Sequence, residues 1–254
     1  MKHAVVLLLA AILLAGSGPA RAQSLSEESL RSLATGYQFF VVIEATEEKP
    51  MRFMFADKGP HIHIYTFDNG RVDLDFEITD LNTRVSALFV RDMDKDGQEA
   101  IIVATKGGRI LAYALDNYEF LFENFQDEFR RIICMEAENL DDDPQDEVVF
   151  TDGEFLYIYD SASRAQEWKS SRNYTAGQIR FANIDNDPQL EIILNTGFII
   201  DSHFYTEEAA SAATNLFGAR AELLDLTGDG FPEILGEIEF PLRVWDLHTR
   251  EELW

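Results

Sequence analysis

The stretch from Asn139 to Val149 reads Asn-Leu-Asp-Asp-Asp-Pro-Gln-Asp-Glu-Val-Val and places oxygen-bearing side chains at positions 1, 3, 5 and 9 of a short loop. Two carboxylates about 4 Å apart repel by roughly 1 kcal/mol even in water, so a loop that gathers several favours a bound cation. Calcium accepts six to eight oxygen ligands in flexible geometry, which suits this spacing better than the strict octahedron of magnesium. A single copy is also typical of an exposed polar turn before a strand.

The acidic loop recurs along the chain, and its four copies begin 47, 44 and 42 residues apart. Each interval is about the length of one four-stranded propeller blade. The first residues of the copies are Asp92, Asn139, Asn183 and Asp225. Another 47 residues before Asp92 lies Ala45, and the segment after it keeps a proline and a strand but has lost the ligand pattern. We interpret this segment as a fifth, metal-free repeat.

Two further features keep the same period. Glycines that we predict to form hairpin tips with positive φ are Gly59, Gly107, Gly108, Gly153 and Gly197, with Gly236 earlier in the last repeat. Aspartates that we predict to end the third strand of a repeat are Asp68, Asp116, Asp160 and Asp246. The fourth repeat breaks the pattern, because Thr206 to Asn215 replaces the expected strand with a segment that reads as a short helix or a flexible loop.

Each repeat therefore reads as four short strands, and the predicted fold is all-β. Radially arranged sheets bury their faces against their neighbours, which favours a β-propeller with five four-stranded blades. The predicted blades span about residues 37–80, 83–126, 129–172, 174–216 and 218–254. We expect the ring to close by packing of blade one on blade five. A β-sandwich of about twenty strands, or an incomplete ring closed by a partner, remains open at this point.

The first 22 residues have the three-part pattern of a cleaved secretory signal, with a charged start, an apolar run and the triplet Ala20-Arg21-Ala22. We predict cleavage after Ala22 and a secreted or periplasmic protein. Residues 23–36 are predicted to form a short helix and linker before the propeller. No apolar run is long enough to span a bilayer, so no transmembrane segment is expected in the mature chain.

The chain is strongly acidic, with a formal net charge of −25. Removal of the signal with Lys2 and Arg21 leaves −27, a charge that repels nucleic acid and anionic lipid. Cys134 is the only cysteine, which excludes an intramolecular disulfide. It lies in an apolar run, where we expect a buried structural role.

The acidic loops resemble the FG-GAP and VCBS repeats of integrin-α-like β-propellers, whose loops follow Asp-x-Asp-x-Asp-Gly-x-x-Asp and bind calcium. The resemblance implies side-chain ligands at positions 1, 3, 5 and 9 and a backbone carbonyl at position 7. The ligands it implies at three sites are Asn139, Asp141, Asp143 and Glu147; Asn183, Asp185, Asp187 and Glu191; and Asp225, Thr227, Asp229 and Glu233. A weaker fourth site has Asp92, Asp94 and Asp96, because Ala100 stands at its position 9.

Two segments that end in tryptophan, 159–168 and 245–254, resemble the tryptophan-docking turns of quinoprotein-like propellers, in which the tryptophan packs blade on blade. This resemblance implies the propeller architecture, and it does not extend to the quinone cofactor.

The resulting functional hypothesis is a secreted, calcium-binding propeller that acts as a binding or scaffold module for a protein or glycan partner. One alternative is a glycan-active enzyme, which requires paired carboxylates near the central channel. Acids near the first strands are Glu44, Glu136, Glu138 and Glu222. His61 and His63 face one side of a strand but have no evident third ligand for a transition metal. Another alternative is a subunit of an outer-membrane assembly machine.

Overall fold

The computed structural model describes residues 37–46, 49–124, 128–141, 143–161, 163–209, 217–237 and 242–253. The predicted signal peptide and the predicted helix within residues 23–36 lie outside these ranges. The described chain is all-β, and it forms five sheets of four strands each. Within the described ranges, no helix is long and apolar enough to cross a membrane.

The strands of each sheet pair antiparallel in chain order, so every sheet is a simple meander. The first two sheets contain β1 (Tyr37–Ile43), β2 (Met51–Asp57), β3 (Ile62–Asp68), β4 (Arg71–Ile78), β5 (Val85–Arg91), β6 (Ala100–Thr105), β7 (Ile110–Ala114) and β8 (Phe120–Glu123). The third and fourth contain β9 (Cys134–Glu138), β10 (Glu147–Thr151), β11 (Leu156–Asp160), β12 (Ala165–Lys169), β13 (Ile179–Ala182), β14 (Glu191–Leu194), β15 (Ile199–Asp201) and β16 (Glu207–Ala209). The fifth contains β17 (Ala221–Leu224), β18 (Glu233–Glu237), β19 (Leu242–Asp246) and β20 (Glu251–Glu252).

The five sheets are the blades of a β-propeller, and the first strand of each blade lies innermost. Strand β5 contacts both β1 and β9, and β13 contacts both β9 and β17. The second strand of a blade is covered on both faces. In β10, for example, the consecutive residues Val148, Val149 and Phe150 are all buried, so apolar residues stand at adjacent positions rather than at alternate ones.

Four hydrophobic clusters join consecutive blades, and each takes side chains from both sheets. Between blades three and four, Ile158 packs with Ile192 and Ile200, and Trp168 lies against Tyr205 with ring centroids 5.1 Å apart. The tryptophan thus contacts the neighbouring blade, as the docking resemblance implies. None of the four clusters, as far as the described residues show, joins blades one and five, so closure of the ring stays a prediction.

The outermost strand of blades one to four contains a β-bulge, which lies at the same register in blades two to four and farther from the turn in blade one. In blade three, Tyr159 pairs with Gln166 and Ile158 pairs with Trp168, which leaves Glu167 as the extra residue. In blade five, Trp245 pairs with Glu252, so Leu253 occupies the equivalent place. Bulges bend a strand and redirect one side chain, which in blades three and four lies beside the acidic loop of the same blade. The bulge residues of blades one to four are Asp75, Leu121, Glu167 and Glu208.

The turn between the third and fourth strands of each blade holds a non-glycine residue with positive φ. These residues are Asn69, Tyr118, Arg164, Tyr205 and Arg250. Several of them reach the outer strand of the preceding blade. The Tyr118 hydroxyl donates to Asp75 at 2.5 Å, and the Arg250 guanidinium donates to the Glu208 carbonyl at 3.0 Å. The cost of the left-handed backbone is therefore offset by a contact between blades.

Several local predictions differ from the structure. The segment predicted to be a helix or loop begins with strand β16, because Ile199 and Ile200 supply a partner strand that overrides the helix propensity of Glu207 to Ala209. Residues 210–215 of that segment lie outside the described ranges. Gly236 is inside β18 rather than at a hairpin tip, and a Cβ there would lie 2.4 Å from the Phe217 carbonyl oxygen. Gly59 and Gly107 lack the positive φ that Gly108, Gly153 and Gly197 adopt. Asp116 lies beyond the third strand of blade two, which ends at Ala114.

Candidate metal centres

Each acidic loop joins the first strand of a blade to the second, and its aspartates build the turn. In blade three, Asp143 Oδ1 accepts the Gln145 N–H at 2.8 Å, and in blade four Asp187 Oδ1 accepts the Gln189 N–H at 2.9 Å. Such contacts from an aspartate to the backbone two residues ahead are typical of Asx turns. The spacing of the aspartates therefore has a structural consequence before any metal is considered.

The position-9 glutamate of blade three is buried where its strand begins. Glu147 is 1 % exposed, and its Oε2 accepts the Leu140 N–H at 2.6 Å. Its Oε1 has no hydrogen-bond partner among the described residues. Burial, with a smaller contribution from the nearby Asp141, raises the pKa of this carboxyl to about 7. A nearby cation would stabilise the charged form of this carboxyl group.

Blade four repeats the arrangement residue for residue. Glu191 is fully buried, its Oε2 accepts the Ile184 N–H at 2.7 Å, and its Oε1 has no partner in the described part of the chain. Burial raises the pKa of Glu191 to about 7 as well. Because unsatisfied buried carboxylate oxygens are costly, their recurrence at the same place in two blades indicates a site for a positive group.

Around each of these glutamates the structure gathers two further acids. In blade three, oxygens of Asp141, Glu147 and Glu167 lie within 4.8 Å of one another. In blade four, the corresponding set is Asp185, Glu191 and Glu208. Glu167 and Glu208 were not among the predicted ligands, because the fourth-strand bulge brings them to the loop and no local spacing reveals it. The one available signal was the acid that each of these outer strands carries at the bulge register.

The position-1 asparagines act differently from the other predicted ligands in this structure. Asn139 donates its side-chain amide to the carbonyl oxygens of Asp143 and Gln145, the latter at 2.9 Å. Asn183 donates to the Asp187 carbonyl in the same way. Both amides bond to the position-5 carbonyl of their loop, and that of Asn139 also bonds to the position-7 carbonyl. Their role as metal ligands stays a prediction.

In blade five the predicted ligands already accept hydrogen bonds from groups of their own loop. Glu233 Oε2 accepts the Leu226 N–H at 2.5 Å, and its Oε1 accepts the Thr227 hydroxyl at 3.2 Å. Asp225 accepts two backbone N–H groups of its own loop, from Gly228 and Gly230. Oxygens of Asp229, Glu233 and Asp246 still lie within 4.8 Å of one another. This site has three acids but no unsatisfied buried oxygen among the atoms described.

The loop of blade two contains a lysine beside its three aspartates. Oxygens of Asp92, Asp94 and Asp96 lie within 4.8 Å of one another. The Lys95 ammonium donates to the Asp92 carbonyl at 3.0 Å and forms an ion pair with Asp146 Oδ1 at 2.7 Å. Lys95 thus places a positive charge on this loop, at a position where the other acidic loops have no basic residue.

Next to this loop, a cavity of about 250 Å³ replaces the carboxylate pair of blades three and four. Ala100 stands where they have a glutamate, and Leu121 is the bulge residue. Both residues line the cavity together with Ile102, and Asp94 and Asp96 of the loop also contribute to its lining. Blade two is therefore apolar at the place where its neighbours are acidic.

Acids on the innermost strands form an ion-pair network. Arg180 of β13 contacts Glu136 Oε1 of β9 at 3.2 Å and Glu222 Oε1 of β17 at 3.4 Å. Burial raises the pKa of Glu136 although Arg180 opposes the shift. Arg91 pairs with Glu138 at 2.7 Å. Glu136 and Glu222 thus share the Arg180 guanidinium, which links three blades.

The histidines of β3 sit in a different acidic environment, within blade one. His61 Nδ1 lies 3.0 Å from Asp57 Oδ2, and His63 Nδ1 lies 2.7 Å from Glu77 Oε1. The two rings have centroids 6.3 Å apart. Each histidine ring thus lies within hydrogen-bonding distance of a carboxylate oxygen.

The single cysteine is buried, as predicted. Burial raises the pKa of the Cys134 thiol to about 11, which excludes a reactive thiolate at neutral pH.

Comparison with protein-family models and with curated proteins gives no match. Solved structures do match. The chain is similar to Saccharomyces cerevisiae Sqt1, with a TM-score of 0.59, 12 % identity and coverage of 86 % of this chain and 61 % of that one. It is also similar to BBS1N from a complex with ARL6DN, with a TM-score of 0.60, 14 % identity and coverage of 86 % and 67 %.

A third similar structure is the V. cholerae biofilm matrix protein Bap1, with a TM-score of 0.60, 11 % identity and coverage of 85 % and 38 %. This chain thus spans about three fifths of Sqt1 and less than half of Bap1. At such low identity the likeness concerns the fold alone. Together with the five four-stranded sheets, it shows that this chain is a β-propeller.

Proposed function

We propose that this chain is a secreted, calcium-stabilised β-propeller that acts as a binding or scaffold module for a protein partner. One observation carries the calcium assignment. In two successive blades, a buried glutamate, Glu147 or Glu191, has an unsatisfied carboxylate oxygen and lies within 4.8 Å of two more acids. A divalent cation at each place would satisfy that oxygen and remove the repulsion among the three carboxylates.

The donor set favours calcium over the other common cations. All nearby side-chain ligands are carboxylate or amide oxygens, and the described parts of the two loops offer no histidine or cysteine that a zinc site would use. Oxygen-rich loops with alternate acids suit calcium, and extracellular modules bind it with dissociation constants of about 0.1 to 1 mM. The predicted signal peptide would deliver the chain to a compartment where calcium reaches such concentrations.

The loop pattern further supports a relationship to FG-GAP and VCBS repeats. Three loops keep an oxygen-bearing side chain at positions 1, 3, 5 and 9, although glutamate replaces aspartate at position 9. Blade two departs from the pattern with Ala100 and Lys95. We therefore assign two calcium sites to blades three and four, a weaker one to blade five and the weakest to blade two.

A binding role is supported by the surface and by the structural neighbours. Large exposed apolar residues in neighbouring strands are typical of interaction surfaces. One neighbour, BBS1N, forms a complex with ARL6DN, and another, Bap1, is a biofilm matrix protein. A glycan partner, or a place in an outer-membrane assembly, would use the same surfaces. The exposed apolar side chains on the outer strands of blades one and two are Val72, Leu74, Phe76, Phe120 and Leu121.

A thermal melt tests the calcium assignment. With a dissociation constant of about 0.1 mM, calcium at about 1 mM adds roughly 1.4 kcal/mol per site. Two sites then raise the midpoint of the mature chain by about 5 to 10 °C over the same sample in excess EGTA. Magnesium at the same concentration serves as the matched control and should give a much smaller shift. An unchanged midpoint with calcium would refute the assignment.

A further inference from the structure

We propose that Glu167 and Glu208, the bulge residues of the outermost strands of blades three and four, are metal ligands in addition to the loop residues. The inference rests on the proposed calcium function and names ligands that lie outside the loop pattern. It makes each metal a bridge between the acidic loop at the start of a blade and the last strand of that blade.

The bulge is what brings these side chains to the loop. Glu167 has no partner in the register between β11 and β12, and Glu208 has none between β15 and β16. A bulge redirects its extra residue relative to the regular pleat. A carboxylate oxygen of Glu167 lies within 4.8 Å of oxygens of Asp141 and Glu147. Glu208 lies equally close to the corresponding acids of blade four.

A second observation, independent of the acidic clusters, points to a ligand at the same places. The Oε1 atoms of Glu147 and Glu191 are buried and without a partner in the described residues, while the Oε2 atoms of both residues accept a loop N–H. Each of these glutamates belongs to the same cluster as the bulge carboxylate of its blade. A cation held between the two would satisfy both.

Comparison of blades supports the pairing of the two ligands. In blades three and four the strand-start residue and the bulge residue are both glutamates. In blade two both are apolar, Ala100 and Leu121, and together they line a cavity. The two positions therefore face each other across one site. In each of these three blades the residues at the two positions have the same character, either both acidic or both apolar.

If these glutamates had a purely structural role, their substitution by glutamine would leave calcium affinity unchanged. Glu167 Oε1 accepts the Tyr205 hydroxyl at 2.5 Å, and Glu208 Oε2 lies 3.8 Å from Arg250 Nη2, so both also contact the next blade. The Tyr205 contact occupies one oxygen of Glu167 and leaves the other for a metal. A glutamine at position 167 keeps an acceptor for the hydroxyl and loses the charge that a cation needs.

The test is calorimetric titration of CaCl₂ into the calcium-depleted mature chain and into Glu167→Gln, Glu208→Gln and the double variant. We expect each single variant to weaken one of the two tight sites by at least about tenfold, and the double variant to weaken both. Glu154→Gln, an exposed acid at a hairpin of blade three, is the control and should bind like the unmodified chain.

The outcomes separate this inference from the proposed function. If the unmodified chain binds calcium and the double variant binds it equally well, Glu167 and Glu208 are not ligands, and the calcium function stands. If the unmodified chain binds no calcium, the calcium function itself is wrong. Circular dichroism without calcium checks folding. Should a glutamine variant not fold, the aspartate variants keep the charge with a shorter reach, and unchanged affinity in them would equally overturn the inference.

Discussion

One side chain at the start of the second strand decides whether a blade is acidic or apolar beside its loop. Glu147 and Glu191 each bury a carboxylate with one unsatisfied oxygen, whereas Ala100 leaves a cavity. Glu233 is intermediate, because the Thr227 hydroxyl and the Leu226 N–H already bond to it. We therefore expect the proposed metal sites to differ in affinity although their loops have nearly the same spacing.

Blade five allows a gain-of-ligand experiment at this scale. Leu253 occupies the bulge register and is 43 % exposed, so a charged residue is tolerated there. We expect Leu253→Glu to tighten the calcium site of Asp229 and Glu233 by roughly tenfold, because ligand charge sets calcium affinity. Leu253→Gln adds a side chain of the same size without the charge and should have no such effect. Equal calcium titrations for the two variants would contradict this prediction.

Among the elements, the hairpin between β10 and β11 shows how acidic side chains stabilise turns without any metal. Asp152 Oδ1 accepts the N–H groups of Glu154 at 2.8 Å and Phe155 at 2.7 Å, and its Oδ2 accepts the Tyr157 hydroxyl at 2.9 Å. Burial would raise the pKa of Asp152, but these hydrogen bonds outweigh it and hold the pKa below its ordinary value.

The lowered pKa of Asp152 gives a prediction with a definite sign. The charge of Asp152 stabilises the fold fully above the unfolded-state pKa, about 4, and that contribution is lost as the pH falls through the lower folded-state value. Asp152→Ala should lower the free energy of unfolding by about 1 to 3 kcal/mol at pH 7 and by less near a pH of about 2.5. Urea denaturation at both pH values measures this. Asp152→Asn, which keeps an acceptor, should lose less; a cost independent of pH would contradict the charge argument.

At the scale of the whole molecule, stability depends on contacts between neighbouring blades. Four apolar clusters, the Arg180 network and several of the left-handed turn residues join adjacent sheets. In repeat proteins the interfaces between neighbours supply much of the stability, which makes their unfolding cooperative. The calcium sites proposed here act inside a blade and so complement these contacts.

Removal of one interface residue tests this coupling. Ile158 is fully buried in the cluster between blades three and four. We expect Ile158→Ala to cost about 2 to 5 kcal/mol through lost burial and the cavity left behind. Tryptophan fluorescence and far-UV circular dichroism should show one shared urea transition at lower midpoint. The exposed Val72→Ala should cost less than about 0.5 kcal/mol. Two separate transitions would show that the blades unfold independently.

The sequence by itself determined the repeat, the five-bladed all-β fold and the loops that carry the acids. These features are local, because turn chemistry and short apolar strands lie within a few residues of one another. Only the tertiary structure decided which acids meet. The bulges that bring Glu167 and Glu208 to the loops, and the Arg180 bridge between blades, depend on strand register and on packing between distant segments. The same packing made β16 a strand, since a partner strand outweighed a weak helical preference.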